Sequence, residues 1–167
     1  MLPSSRPRKS DLQMICLRPA TLDDVPGIAA LVMANAIQGT VLPRSAADIE
    51  ATLPDWFVAA ADDEVLGCVS LLRYGTGLIE VRSLVVDGRY QGLRIGSRLM
   101  EALLEEAKRW QIPMLFALTR KVSFFERYGF ELSERVNFPE KVWHDCRLCP
   151  LIDNCDETAM ILDVSTL

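Results

Sequence analysis

Two neighbouring stretches hold residues that can do chemistry. In LIEVRSLVV (78–86) a single carboxylate, Glu80, interrupts an apolar run, and the loop that follows, DGRYQGLRIGS (87–97), carries Gly92 and Gly96 with Arg89 and Arg94, and Arg98 comes directly after it. A carboxylate in apolar surroundings suits a general base. Strand alternation puts Leu78, Glu80, Arg82, Leu84 and Val86 on one face and Ile79, Val81, Ser83 and Val85 on the other. An ion pair between Glu80 and Arg82, or a place at the rim, is the plainer role open to this glutamate. The loop suits an anion. It leads into a helix, whose first N–H groups lack intrahelical partners and carry partial positive charge. Glycine permits close backbone approach, and the arginines add formal charge. A phosphate-bearing ligand fits this set, although a tight strand-to-helix turn would use the same glycines. Neither G-x-G-x-x-G nor G-K-[ST] is present, which sets aside the dinucleotide and nucleotide-triphosphate loops.

A second group is His144, Cys146, Cys149 and Cys155, four soft or borderline ligands within one short segment. They could close a tetrahedral zinc site, but only one CxxC occurs and the spacing is irregular. A structural or redox-sensitive loop is the alternative, and no metal is assigned. The chain has five cysteines. An odd count argues against a disulfide framework, and Cys16 and Cys68 fall in strand-like text as small core residues.

These groups need elements to hold them. LQMICLR (12–18) alternates as a strand closed by Pro19. Thr21, Asp23 and Asp24 then offer caps for a helix DVPGIAALVMANAIQ, and Ser45 with Asp48 suggests a shorter helix SAADIEATL. DWFVAAA, DEVLGCVSLLRY and GLIEVRSLVV read as three strands in successive hairpins. From 95 to 110, Ile95, Leu99, Leu103, Ala107 and Trp110 form one apolar face at period 3.6, with Met100 and Leu104 beside it. MLFALT is an apolar strand, KVSFFERY a short helix ended by Gly129, and FELSE and AMILDV two further strands around an irregular 135–157 segment. The text predicts one α/β domain over 12–167, behind a flexible leader at 1–11.

Half the residues are apolar and the net charge is −5. Such a balance argues against a nucleic acid held by its phosphates. No apolar run approaches the length of a membrane span. The leader lacks the apolar stretch of a secretory signal, so a cytoplasmic, reducing location and a small-molecule partner are expected.

Glu80 to Gly96 resembles the acetyl-CoA signature of the GNAT superfamily of N-acetyltransferases. Its loop, [QR]-x-x-G-x-[GA], is filled here by Gln91, Gly92, Leu93, Arg94, Ile95 and Gly96, with Arg94 standing at the first glycine. The order of elements also matches, over roughly residues 13–163. Three stretches are similar to the acetyltransferase domain of N-acetylglutamate synthases: GTVLPRS (39–45), LTRKVSFFERYGF (118–130), and FPEKVWHDCRLCP with CDETAM (138–160). The last pair resembles short stand-alone synthases.

The resemblance implies a mixed, mostly antiparallel sheet of about seven strands with helices on both faces. It implies acetyl-CoA as co-substrate, held by Leu84, Val85, Val86, Gln91, Gly92, Leu93, Arg94, Ile95, Gly96, Ser97 and Phe125. Glu80 would be the general base and the N–H of Val85 or Val86 the oxyanion donor. Many relatives place a tyrosine where this chain has Phe125. Thr119 is therefore the expected proton donor, with Ser123 or Tyr128 behind it, unless coenzyme A leaves as a thiolate. Arg44, Arg120 and Lys121 match positions where synthases bind the carboxylates of glutamate. Some synthases add an arginine near the C-terminus that the last ten residues here lack, and Arg147 or Lys141 could replace it. The implied activity is acetylation of the α-amine of L-glutamate, the entry to arginine biosynthesis, with a homodimer one possible state. Its rivals are the same chemistry on another amino acid or peptide amine, and a catalytically silent acyl-CoA-binding domain.

Overall fold

Among the described residues, seven strands share one sheet: β1 (Cys16–Pro19), β2 (Trp56–Ala61), β3 (Glu64–Arg73), β4 (Ile79–Val86), β5 (Met114–Thr119), β6 (Glu131–Leu132) and β7 (Thr158–Asp163). Hydrogen bonding orders them β1-β2-β3-β4-β5-β7-β6. The pairs β1–β2, β2–β3, β5–β7 and β6–β7 are antiparallel, and β4–β5 is parallel. This computed structural model describes residues 9–39, 41–74, 77, 79–134 and 156–167. The chain divides into two compact units, Met1–Leu71 with Ser83–Glu106 and Leu72–Arg82 with Ala107–Leu167.

In the first unit, helix α2 (Val25–Ile37) follows a turn fixed by Asp24, whose carboxylate accepts from Thr21 N–H at 2.8 Å and from both terminal nitrogens of Arg18. Helix α3 (Ala46–Ala51) starts at the expected box, Ser45 and Asp48 each capping the other's amide. Alternation along β3 then divides the helices between the sheet's two faces. Cys68 packs in a cluster with Val25, Ile28 and Val32 of α2 and Ile49 of α3. Its neighbour Gly67 faces α4 (Ile95–Arg109) so closely that a Cβ there would lie 3.1 Å from Leu99 and 3.2 Å from Ile95. Ile95, Leu99, Met100 and Leu103 are buried as their spacing predicts, and burying each stabilises by about 2 kcal/mol.

In the second unit, β5 and β7 register from Met114↔Asp163 to Thr119↔Thr158, burying Leu115, Phe116, Ala117, Met160 and Leu162. Helix α5 (Val122–Glu126) sets Phe125 edge-on to Phe130, with ring centroids 5.1 Å apart.

Three sequence expectations need correction. Leu12 and Gln13 lie in a short helix, α1 (Lys9–Gln13), and the first strand begins only at Cys16. Cys16 pairs with Ala60, and two residues further β2 has given way to its turn at Asp62, so residues before Ile15 have no ladder to join. Cys16, expected in the core, is exposed on this edge strand. Trp110 lies beyond the end of α4 and is exposed, with the Arg73 guanidinium 5.2 Å from its ring centroid.

Candidate active site

Glu80 is only 2% exposed. A carboxylate removed from water needs hydrogen-bond donors. Tyr74, just past the end of β3, donates its phenol to Glu80 Oε2 at 2.6 Å. The tyrosine ring leans on Phe116, centroids 5.9 Å apart, and Phe116 is the residue that registers with Glu80 across β4–β5. Sequence reasoning missed Tyr74, reading it only as the end of the strand stretch DEVLGCVSLLRY. A phenol six residues before a lone strand carboxylate, across a hairpin, was the available signal.

Further along β4 the expected alternation holds, with Val81, Ser83 and Val85 buried and Arg82, Leu84 and Val86 half-buried. Ser83 has φ +55°, a left-handed residue inside a strand, which breaks the regular pleat there. Its carbonyl accepts from the thiol of Cys68 at 3.5 Å. Burial pushes that thiol far above the ordinary cysteine range, against a hydrogen bond with the Val85 main chain, so Cys68 stays a neutral core residue.

The two proposed oxyanion donors can now be separated. The Val85 carbonyl faces β3, 3.2 Å from where a Cβ on Gly67 would sit. The N–H of that same trans peptide belongs to Val86 and points the opposite way. Asp87 N–H, one peptide on, returns to the Leu66 carbonyl at 2.8 Å, as ladder alternation requires. Val86, not Val85, therefore directs its amide away from β3.

The loop is tied to the end of β4 through Gln91 and braced internally by Asp87. Gln91 donates its side-chain amide to the Val86 carbonyl at 3.2 Å, and the Asp87 carboxylate accepts from Arg89 N–H at 2.9 Å. Arg89 also binds the carboxylates of Asp87 and Glu64. Those contacts raise its pKa still further and hold Asp87 below the usual carboxylate range. Arg89 was expected to lend its charge to the loop; its guanidinium is neutralised within the chain. Gly92 has φ +79° and open space where a Cβ would be. Arg94 has φ +63° and is exposed. An arginine thus takes the conformation that the family pattern assigns to glycine. The first helical ladder bond is Arg98 N–H to Arg94 carbonyl at 3.0 Å, so the amides of Ile95 and Gly96 lie ahead of it. Ile95 and Ser97 bury their side chains, while Leu93 is half-buried. Such an end, with two left-handed residues ahead of it, suits a phosphate.

Thr119 ends β5, 8% exposed, and its Oγ1 accepts from Lys121 N–H at 2.8 Å. Its own proton points elsewhere. Ser123 is exposed and Tyr128 half-buried, its ring tilted 58° to that of Phe124 with centroids 5.4 Å apart. Phe125 is buried among Phe124 and Phe130. Arg44 sits half-buried just ahead of α3, and Lys121 is exposed at the start of α5. Arg120 donates to Asp156 at 2.6 Å and approaches Glu157 at 3.6 Å. That contact lowers the Asp156 pKa and occupies part of the fork expected to receive a substrate carboxylate. His144, Cys146, Cys149 and Cys155, with Arg147 and Lys141, fall outside the described residues. Among the described residues no metal-binding cluster occurs, and no helix is long and apolar enough to cross a membrane.

Comparison with known proteins follows the same lines. The acetyltransferase (GNAT) domain model matches residues 53–132. An uncharacterised N-acetyltransferase of Chlorobaculum tepidum is 35% identical over 146 residues, covering 87% of this chain and 94% of that protein. An amino-acid acetyltransferase of Pasteurella multocida is 30% identical over 127 residues, 75% of this chain but 29% of that longer protein. Among solved structures, N-acetylglutamate synthase of Neisseria gonorrhoeae, complexed with coenzyme A and N-acetyl-glutamate, superposes with a TM-score of 0.78 at 25% identity. That likeness covers 90% of this chain and 35% of the synthase. Strand order, the loop at the start of α4 and a relative matched over nearly its whole length agree: this chain belongs to the GNAT family of acetyltransferases.

Proposed function

We propose that the chain is an amino-acid N-acetyltransferase that moves the acetyl group of acetyl-CoA to the α-amine of L-glutamate. The observation that carries the reading is Glu80, a buried carboxylate held by a phenol on the strand whose far end anchors the phosphate-suited loop. Acetyl transfer to an amine needs that pair of features. The diphosphate of the coenzyme rests on the amides ahead of α4, with Gly92 giving it room and Arg94 adding charge. Glu80, directly or through a water, takes one proton from the substrate ammonium. The freed nitrogen lone pair attacks the thioester carbon, and the oxyanion that forms accepts a hydrogen bond from Val86 N–H. Collapse breaks the C–S bond, and the second proton lost by nitrogen ends on the sulfur. Thr119 can relay it, since its oxygen already accepts from Lys121 and its hydroxyl proton remains to be given. A thiol of ordinary pKa, about 8.5, also leaves tolerably as thiolate.

Glutamate as acceptor is supported by the Neisseria synthase and the Pasteurella relative, and by three cations, Arg44, Arg120 and Lys121, suited to two carboxylates. With such an activity the chain would serve arginine biosynthesis in the cytoplasm. A second reading, a different amine, draws on Arg120, whose guanidinium Asp156 and Glu157 already engage. Thiol release with L-glutamate, L-glutamine, L-aspartate and a peptide amine separates the two. Fastest turnover of glutamate, lost selectively in Arg44→Ala and Arg120→Ala, supports the assignment. Equal turnover of glutamine with unchanged kinetics in both variants removes it. Tight coenzyme binding with no thiol release on any amine would instead make the chain a silent acyl-CoA-binding domain.

A further inference from the structure

The geometry points to Tyr74 as a positioning residue for the transfer: its phenol fixes the orientation of the Glu80 carboxylate. This inference rests on Glu80 being the base, as proposed above. Glu80 is almost wholly buried, and the 2.6 Å separation from Tyr74 Oη lies in the range of a charge-assisted O–H···O⁻ bond. A phenol is a strong donor that remains protonated at neutral pH, so it can hold a carboxylate without competing for the proton the carboxylate must collect. The ring is itself located. It tilts at 38° against Phe116, which is fully buried and sits in register with Glu80 on the neighbouring strand. Phenol, carboxylate and supporting ring thus form one closed arrangement: β4 places Glu80, β5 places Phe116, and Phe116 carries the tyrosine whose hydroxyl reaches back to Oε2. With Oε2 held, the carboxylate plane is set, and with it the direction in which Oε1 faces. A base whose orientation is fixed loses less rotational freedom on reaching the transition state. Nothing in the arrangement requires the phenol to touch the amine or the thioester.

Tyr74→Phe removes the hydroxyl and keeps the ring on Phe116, so the fold is retained and melting temperature serves as the control. Using whichever amine gives the fastest thiol release, Tyr74→Phe is expected to lower kcat about tenfold, the scale of one lost hydrogen bond to a charged group, with the KM for acetyl-CoA unchanged. The deciding measurement is the double-mutant cycle with Glu80→Gln. If Tyr74 acts through the carboxylate, Tyr74→Phe costs less than twofold when Glu80 is already glutamine. An equal loss in both backgrounds, or none in the parent, overturns the inference while leaving Glu80 as base. Full activity in Glu80→Gln, or no turnover of any amine, overturns the base assignment and this inference with it.

Discussion

Replacing Arg94 with glycine should make the protein more stable and weaken its grip on coenzyme A. A non-glycine residue at φ +63° costs roughly 1–2 kcal/mol in crowding between Cβ and backbone. Glycine removes that cost but gives the unfolded chain extra freedom, a penalty of roughly 0.5–1 kcal/mol. The net expectation is a gain of about 0.5–1 kcal/mol, which for a domain of this size raises the melting temperature by about 1–4 °C. Arg94→Ala is the control, because alanine keeps the Cβ and so keeps the strain. Binding should respond differently. Both variants lose an exposed charge that the proposed function sets beside the diphosphate, worth on the order of 0.5–1 kcal/mol, or two- to fivefold in Kd, and less as salt rises. Thermal unfolding of the free protein and calorimetric titration with coenzyme A at low and high salt read the two effects separately. A glycine variant less stable than the alanine variant would show that residue 94 is not left-handed in solution. Unchanged low-salt affinity in both would show that the arginine does not face the phosphates.

Four further outcomes follow from the same structure. Gly67→Ala should cost about 1–3 kcal/mol in denaturant unfolding, because its Cβ would press on Leu99, Ile95 and the Val85 carbonyl; no loss would contradict the close approach of α4 to β3. Asp24→Asn should cost about 1–2 kcal/mol at pH 7, Arg18 being partly solvent-screened. Since pairing lowers the folded pKa of Asp24, the parent's advantage is complete above the unfolded value of ~3.9 and fades as pH falls through the lower folded value, a trend that urea titrations from pH 7 to 2 would follow. In mass-spectrometric mapping of thiol labelling at pH 8, Cys16 should react quickly and Cys68 only after unfolding; rapid labelling of Cys68 would contradict its burial. Glu80→Gln should cut turnover by about 10²-fold or more while coenzyme affinity stays within twofold, read by thiol release and calorimetry.

The apolar face from Ile95 to Ala107 and the largely apolar MLFALT were legible because burial imposes period 3.6 on a helix and removes the polar half of a central strand's alternation. Ser45 and Asp48 announced α3 because the cap is local chemistry. What failed to read depended on partners remote in sequence. LQMICLR looked like a longer strand because alternation cannot tell where a neighbouring strand stops. Trp110 fits the apolar period, yet the helix ends before it and the ring stays exposed beside Arg73 of β3. Arg89 looked like a phosphate cation since nothing local reveals that Glu64 lies within reach. In the site, the loop glycines and Glu80 stood out by type, but the phenol that holds Glu80 depends on hairpin geometry. That Val86 and not Val85 turns its amide away from β3 depends on the direction of a single peptide plane.

The central claim is that the amides of the turn into α4 receive the diphosphate of coenzyme A. Titrating ¹⁵N-labelled protein with coenzyme A and following the backbone amides of Gly92, Arg94, Ile95 and Gly96 by NMR tests it most directly. Those signals should move far downfield and saturate together, while the amides of α2 and α3 shift little. Tight binding that leaves the four amides unmoved, with the large shifts elsewhere in the chain, would contradict it.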